Sequence, residues 1–383
     1  MHRWLRIRQS AAALRRLITS FSVRLEVSSK CQLKCPMCPT ATGFNRDGVV
    51  GWGNLTLAAF GQFIEANPNV GHIEISNWGE IFLNPELDAI LQRAYDSGIL
   101  LTANNGVNFN SVRDSTLEAM VKYRLRSLTI AIDGARADSY AEYRKAGNFD
   151  RVIGNIEKLN EYKRQHQSRY PILTWQFVIF GHNEHELNEA KAIARSFGMK
   201  FSVKLNAEGW GPQFSPVRNR EMVRAASGLG VASFAEFREK HGRDYLTPCQ
   251  DMWSLPQVNW DGKLLGCCVN MWGDFGNVFE TSLEHCLSSE KYTYTQKMLL
   301  GEVEARADSP CVQCHLYQNR ALPKLIDSTW SPRIARAMLA SRIKGRGRNF
   351  FSAGAQEAST YLRKFRGWMN RRREAHRLNT KIV

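Results

Sequence analysis

The amino-acid sequence predicts an α/β protein, a partial (βα)6 barrel followed by a small cysteine-bearing domain. Two patterns predict it. Six short apolar runs have five helical patterns between them, the alternation that builds a parallel sheet or barrel rather than a sandwich. Most of the nine cysteines fall in two sets, one directly after the first run and one beyond the last.

The chain opens on "MHRWLRIRQSAAALRRLITSFSV", read as a basic helix over 1–21. Arg15-Arg16 before an apolar stretch resembles a twin-arginine export signal. Arg24 interrupts that stretch, no small-residue cleavage site follows and a strand begins at once, so a cytoplasmic protein is expected. Strands are predicted at "VRLEVS" (23–28), "HIEIS" (72–76), "ILLTAN" (99–104), "SLTIAI" (127–132), "LTWQFVIF" (173–180) and "KFSVKL" (200–205). Helical patterns occupy 55–66, 85–97, 112–123, 149–167 and 184–197, with Gly98 and Gly198 placed as C-terminal caps. The barrel is assigned to 22–210, a connecting segment to 211–248, the cysteine domain to 249–320 and a basic tail to 321–383. In parallel α/β architectures chemistry sits where strand C-terminal ends meet their loops, which puts the first cysteine set at the catalytic mouth.

Composition excludes several classes. With 383 residues, 43% hydrophobic and 23% charged, the chain can bury a sizeable core. No apolar run approaches the length that spans a bilayer. The net charge is +16, but residues 1–24 carry +6 and residues 331–383 carry +12, leaving −2 for the body. The body therefore offers no electrostatic case for a nucleic-acid groove, whereas the tails could hold a polyanion or an anionic membrane surface.

In "SSKCQLKCPMCPT" (28–40), Cys31, Cys35 and Cys38 occur with no fourth ligand nearby. A disulfide framework is disfavoured in a long chain without a secretory signal. Structural zinc wants four protein ligands. Four thiolates complete an iron–sulfur cluster, and three leave one iron open to an outside ligand.

This C-x-x-x-C-x-x-C after the first strand resembles the signature of the radical S-adenosylmethionine enzymes, and other segments follow in that family's order. "NWGEIFLNPEL" (77–87) is similar to the family's Gly-Glu-Pro segment, with Ile81 in place of the proline. "AIDGARADSYAEYRKAGNFDRVIGNI" (131–156) and "NEHELNEAKAIARSFGM" (183–199) resemble the segments after the fourth and fifth strands. The resemblance implies that Cys31, Cys35 and Cys38 bind three irons of a 4Fe-4S cluster, while S-adenosylmethionine chelates the fourth and is cleaved by one electron to a 5′-deoxyadenosyl radical. It further implies that Gly79 and Glu80 hold the methionyl amino group, that Met37 packs near the adenine, and that Asn104, Asp133 and Arg144 contact ribose or carboxylate. Turn chemistry at Asp133-Gly134 and a surface cation at Arg144 are the plain alternatives.

A second set spans 249–314. A hairpin-like pair around Asp261-Gly262 would bring Cys249 near Cys267 and Cys268, and Cys311 and Cys314 form a chelating C-x-x-C. A zinc ribbon is the alternative for four such thiols. The stretch resembles the SPASM or twitch extension of radical enzymes, which implies one auxiliary 4Fe-4S cluster on Cys249, Cys267, Cys311 and Cys314, serving as an electron relay. Cys268 and Cys286 are then spare, small buried hydrophobes by default. The sharper reading makes Cys268 a hydrogen-atom donor to a substrate radical, as an epimerase requires. Gln176, Lys204 and Glu208 could orient or deprotonate a substrate.

The expected activity is radical oxidation or epimerisation of a small polar or sugar-like molecule, lipid-linked ones included, with a flavodoxin or ferredoxin as reductant. About 30 residues before Cys31 are too few for a leader-binding module, which disfavours a peptide maturase without removing it; a non-catalytic electron carrier is the other alternative. In the tail, aromatics such as Phe350, Phe351, Tyr361, Phe365 and Trp368 interleave with arginines, which suits an anionic membrane, RNA or plain solvent.

Overall fold

The computed structural model describes residues 21–206 and 213–318. The expected N-terminal helix, Glu208 and the basic tail lie outside the described residues.

Seven strands form one sheet: β1 (Phe21–Leu25), β2 (Val70–Glu74), β3 (Leu100–Val107), β4 (Ser127–Ala131), β5 (Ile172–Val178), β6 (Lys200–Lys204) and β7 (Gln257–Val258). Their order is β6-β5-β4-β3-β2-β1-β7, and every neighbouring pair is parallel. A sheet whose first six strands lie in chain order without reversal winds in one direction, as a barrel does; a doubly wound sheet would reverse. β7 comes from the second cysteine segment and pairs Arg24 with Gln257 and Leu25 with Val258.

The crossover helices are α1 (Leu57–Ala66), α2 (Leu87–Asp96), α3 (Asp114–Lys122), α4 (Ala137–Tyr143), α5 (Phe149–Gln165) and α6 (Leu187–Ser196). Their ends follow local chemistry. The Thr56 hydroxyl accepts from Ala59 N at 3.1 Å to cap α1, and Asn148 accepts from Arg151 N at 2.8 Å to cap α5. Gly98 and Gly198 follow α2 and α6 in left-handed conformation, φ +68° and +67°, where a side chain would be strained. The short α4 was not predicted. It buries only Ser139 and Tyr140, too few positions to give a helical period.

Strand register separates two faces. Val23, Leu25, Ile73, Leu101, Ala103, Leu128, Ile130, Trp175 and Phe177 are buried on the face covered by helices. Arg24, Glu74 and Thr102 align across β1 to β3, and Thr129, Thr174, Gln176, Ser202 and Lys204 align across β4 to β6 on the opposite, inward face. That inward face is polar and hydrogen-bonded: Thr102 Oγ1 donates to Glu74 at 2.5 Å and meets His72 Nε2 at 2.9 Å, and Ser76 Oγ donates to Glu74 at 2.6 Å. Just past β1, the fully buried Glu26 accepts from Trp78 N at 3.0 Å and Gly79 N at 3.4 Å.

Burial pushes the Glu26 carboxyl up to about 8, against the lowering effect of those two N–H groups. Its free value is 4.5. The folded state therefore keeps a proton that the unfolded chain gives up, and this contribution to stability is lost as pH rises from about 4.5 through about 8. Glu26→Gln should flatten the slope: denaturant titrations near pH 5 and pH 8.5 should show the wild type losing roughly a few kcal/mol more than the variant. Equal losses would contradict it.

Candidate functional site

The first thiol set sits in the loop that leaves β1. Glu80 N donates to Lys30 O at 2.7 Å and Thr40 Oγ1 donates to Trp78 O at 2.7 Å, so both ends of the loop are tied to residues 78–80. Gly79 makes this possible, because a Cβ there would collide with the main chain of Ser28 to Lys30. Cys38 N closes a turn onto Cys35 O at 3.2 Å. Burial pushes Cys31 up to about 12 and Cys35 up to about 11, and the charge of Cys38 nearby raises both further. Donors reach the sulfurs as well: Asn108 Nδ2 lies 3.6 Å from Cys31 Sγ, and the Arg144 guanidinium hydrogen-bonds Cys35. One buried and two half-buried thiols, two of them with hydrogen-bond donors, fit a thiolate-bound cluster with one open corner.

The other residues expected near this loop are distributed as follows. Asp133 is fully buried, bonds Arg144 Nε at 2.6 Å through Oδ2 and accepts from Val178 N at 2.8 Å through Oδ1. Arg144 thus joins Asp133 to Cys35 and is no solvated surface cation. Glu80 is buried and accepts from Asn108 N at 2.6 Å and Phe82 N at 3.3 Å; burial pushes it up to about 7. Ile81 begins a 3-10 turn, Ile81–Leu83, which the Glu80 side chain caps. Met37 Sδ accepts from Phe214 N at 3.0 Å, beside the ring cluster of Tyr143, Phe180 and Phe214. Asn104 is exposed in the middle of β3, with its N–H on Glu74 Oε1.

In the second set, Cys249, Cys267, Cys311 and Cys314 are all buried, and burial together with their neighbours' charges raises Cys249, Cys267 and Cys311. The expected hairpin is present, through antiparallel bridges of Val258 with Leu264 and Lys263 with Asn277. Cys311 lies in the turn Pro310–Gln313, and Cys314 N donates back to Cys311 O at 3.1 Å. Among the described residues no three Cys, His, Asp or Glu side chains come close enough to share one metal ion. Cys286 is a small buried side chain 3.4 Å from Thr281 Oγ1. Cys268 differs, because its thiol hydrogen-bonds Asp251 and Arg24 and feels the charge of Lys204.

One short segment connects the two sets. Asn77 Nδ2 donates to Cys268 O at 2.9 Å, three residues before Glu80 grips the first loop, and Asn105 Nδ2 holds Asn77 Oδ1 at 2.7 Å. Arg24 of β1 pairs with Asp251 at 2.9 Å. Asn259 Nδ2 and Trp260 Nε1 both donate to Val50 O at 2.9 Å.

Comparison with known proteins follows this geometry. Residues 249–315 match SPASM, an iron–sulfur cluster-binding domain. This chain carries a SPASM domain on a radical SAM fold. The fold likeness is to Streptococcus suis SuiB: the structure bound to precursor peptide SuiA has TM-score 0.52 and 16% identity over 81% of this chain and 73% of that one. The structure of SuiB bound to S-adenosylmethionine has TM-score 0.52 and 17% identity, covering 85% of this chain and 78% of that one. No curated protein matches the sequence. No helix among the described residues is long and apolar enough to cross a membrane.

The sequence reading missed Arg24, Glu26, Asn77, Asn108 and Asp251. Two of them carried a signal: "VRLEV" alternates charge with apolar side chains inside one strand, and charges at 24 and 26 between buried neighbours imply an enclosed polar face rather than solvent.

Iron and sulfide analysis of anaerobically loaded protein should give about eight irons per chain. Replacing Cys31, Cys35 and Cys38 together by Ala should leave about four, and Cys249→Ala should lower the count while sparing the first set. Wild-type iron content in the triple variant would contradict the assignment.

Proposed function

We propose that this chain is a radical SAM enzyme that performs C–H oxidation or epimerisation on a small polar or sugar-like substrate held against the inward polar face. The observation that carries the reading is the position of Cys268: its thiol faces Arg24 and Lys204 of the barrel while its neighbour Cys267 belongs to the buried SPASM thiols. With the cofactors bound, the first cluster and S-adenosylmethionine would supply radical chemistry at a C–H bond, and the SPASM cluster would supply an electron relay.

The chain's own residues provide the rest. Cys31, Cys35 and Cys38 hold the first cluster; Cys249, Cys267, Cys311 and Cys314 hold the second. Gly79 and Glu80 receive the methionyl amino group, for a carboxylate has about four acceptor positions and the Asn108, Phe82 and Phe109 amides leave one open. Asp133 and Arg144 orient the cofactor beside Cys35, Asn104 borders it, and Met37 backs the adenine. In epimerisation the Cys268 S–H gives a hydrogen atom to the substrate carbon. The resulting thiyl regains one electron and one proton, the electron coming from a flavodoxin or ferredoxin type of reductant. Oxidation needs no such donor.

A peptide substrate is the second reading. It is supported by the likeness of fold to SuiB, whose structure has been determined with a precursor peptide.

Dithionite-reduced protein given S-adenosylmethionine should release 5′-deoxyadenosine, and replacing Cys31, Cys35 and Cys38 by Ala should reduce this at least a hundredfold, about 3 kcal/mol in barrier terms. Absence of 5′-deoxyadenosine from fully loaded wild type would overturn the enzymatic reading. With a turned-over substrate in D2O, wild type should place deuterium on the reacting carbon and Cys268→Ala should not. Deuterium retained in the variant would remove Cys268 as donor.

A further inference from the structure

The inward face carries buried charge that is matched group by group. Arg24 is paired with Asp251 at 2.9 Å and Arg144 with Asp133 at 2.6 Å. Glu26 and Glu74 are both buried and held by hydrogen-bond donors. Among the described residues, a partly buried lysine of β6 is left without an ion pair. Lys204, at the C-terminal end of β6, aligns with Val178 and shares the inward face with Gln176 and Ser202. Its backbone is fixed, since Ile179 N donates to Lys204 O at 2.9 Å. Among the described residues its ammonium has no ion-pair partner. Asp133, whose charge acts on it, is already committed to Arg144.

A half-buried cation without a partner is costly, because desolvation is not repaid by a counter-charge. Burial accordingly lowers Lys204. A surface lysine would turn its head to water; this one lies on the same side of the sheet as Arg24 and within electrostatic reach of the Cys268 thiol. We propose that Lys204 is an anion anchor that receives a carboxylate or phosphate of the substrate, holding the substrate's neighbouring carbon beside Cys268. This rests on the radical-enzyme reading for the word substrate, but the anion site itself can be tested without turnover. It narrows the substrate class to molecules carrying a fixed negative group, whether an acid, a phosphorylated sugar or a peptide carboxylate. Lysine serves here as a point charge, so both anion types satisfy it.

Competitive labelling tests the site. Cluster-loaded full-length protein is treated with trace acetic anhydride, with and without inorganic phosphate or acetate, at constant ionic strength, and lysine modification is read by peptide mass spectrometry. Phosphate or acetate should slow acetylation of Lys204 about tenfold, equivalent to about 1.4 kcal/mol of binding, with Lys200 at the start of β6 unaffected. Lys204→Met should also raise the melting temperature, by about 2 °C or more, since it removes an uncompensated buried charge. Labelling of Lys204 that neither anion slows, or equal slowing at Lys200 and Lys204, would overturn the proposal, as would a lower melting temperature for Lys204→Met. Failure of 5′-deoxyadenosine release would instead strike the radical reading and leave the anion result standing.

Discussion

The dominant constraint on this molecule is charge held inside a sheet. Arg24, Glu26 and Glu74 occupy the inner side of β1, β2 and the loop beyond, where water is scarce and each charge must be matched or neutralised. Arg24 finds its match in Asp251, which belongs to the SPASM segment and not to the barrel. Breaking one half of such a pair would strand the other, so the barrel cannot shed its C-terminal domain cheaply. The domain is held there by more than apolar contact: β7 continues the ladder beside β1, and Val50, Leu265 and Met271 form a shared core with Trp78 packed against it.

The stretch from Asn77 to Glu80 transmits this arrangement to the chemistry. Its first residue fixes the Cys268 carbonyl and its last fixes Lys30, so the two thiol sets are positioned by one piece of chain four residues long. Gly79 permits the approach and Glu26 satisfies its amide. A substitution in this stretch would disturb both sets together, even though neither contains it.

Much of this was legible beforehand. The six barrel strands and five of the helices follow from apolar period and from Gly98 and Gly198, and the two thiol sets stand out by spacing alone. Arg144 was harder, since an arginine in sequence gives no sign of whether it meets water or, as here, Asp133 and Cys35. Arg24 and Asp251 were invisible as a pair, because no local pattern links residues so far apart in the chain. The alternation around Arg24 announces two unlike faces but not which one is enclosed; only the winding of the sheet decides that. Most strand ends were read a few residues too long for a similar reason, β3 alone being read too short. Past β1, Glu26 N bonds Val258 O in the late-arriving segment and the chain bends at Val27.

The pairing of β7 with β1 has a consequence for biogenesis. β1 is completed on its outer side by a segment made more than two hundred residues later. Until Gln257 and Val258 emerge, the N-terminal strand presents open amides and carbonyls on one side and the unmatched Arg24 on its inner face. A nascent chain in that condition is exposed to wrong pairing until that segment arrives. Long-range closure of this kind slows folding, and it makes a truncated or stalled product a candidate for aggregation.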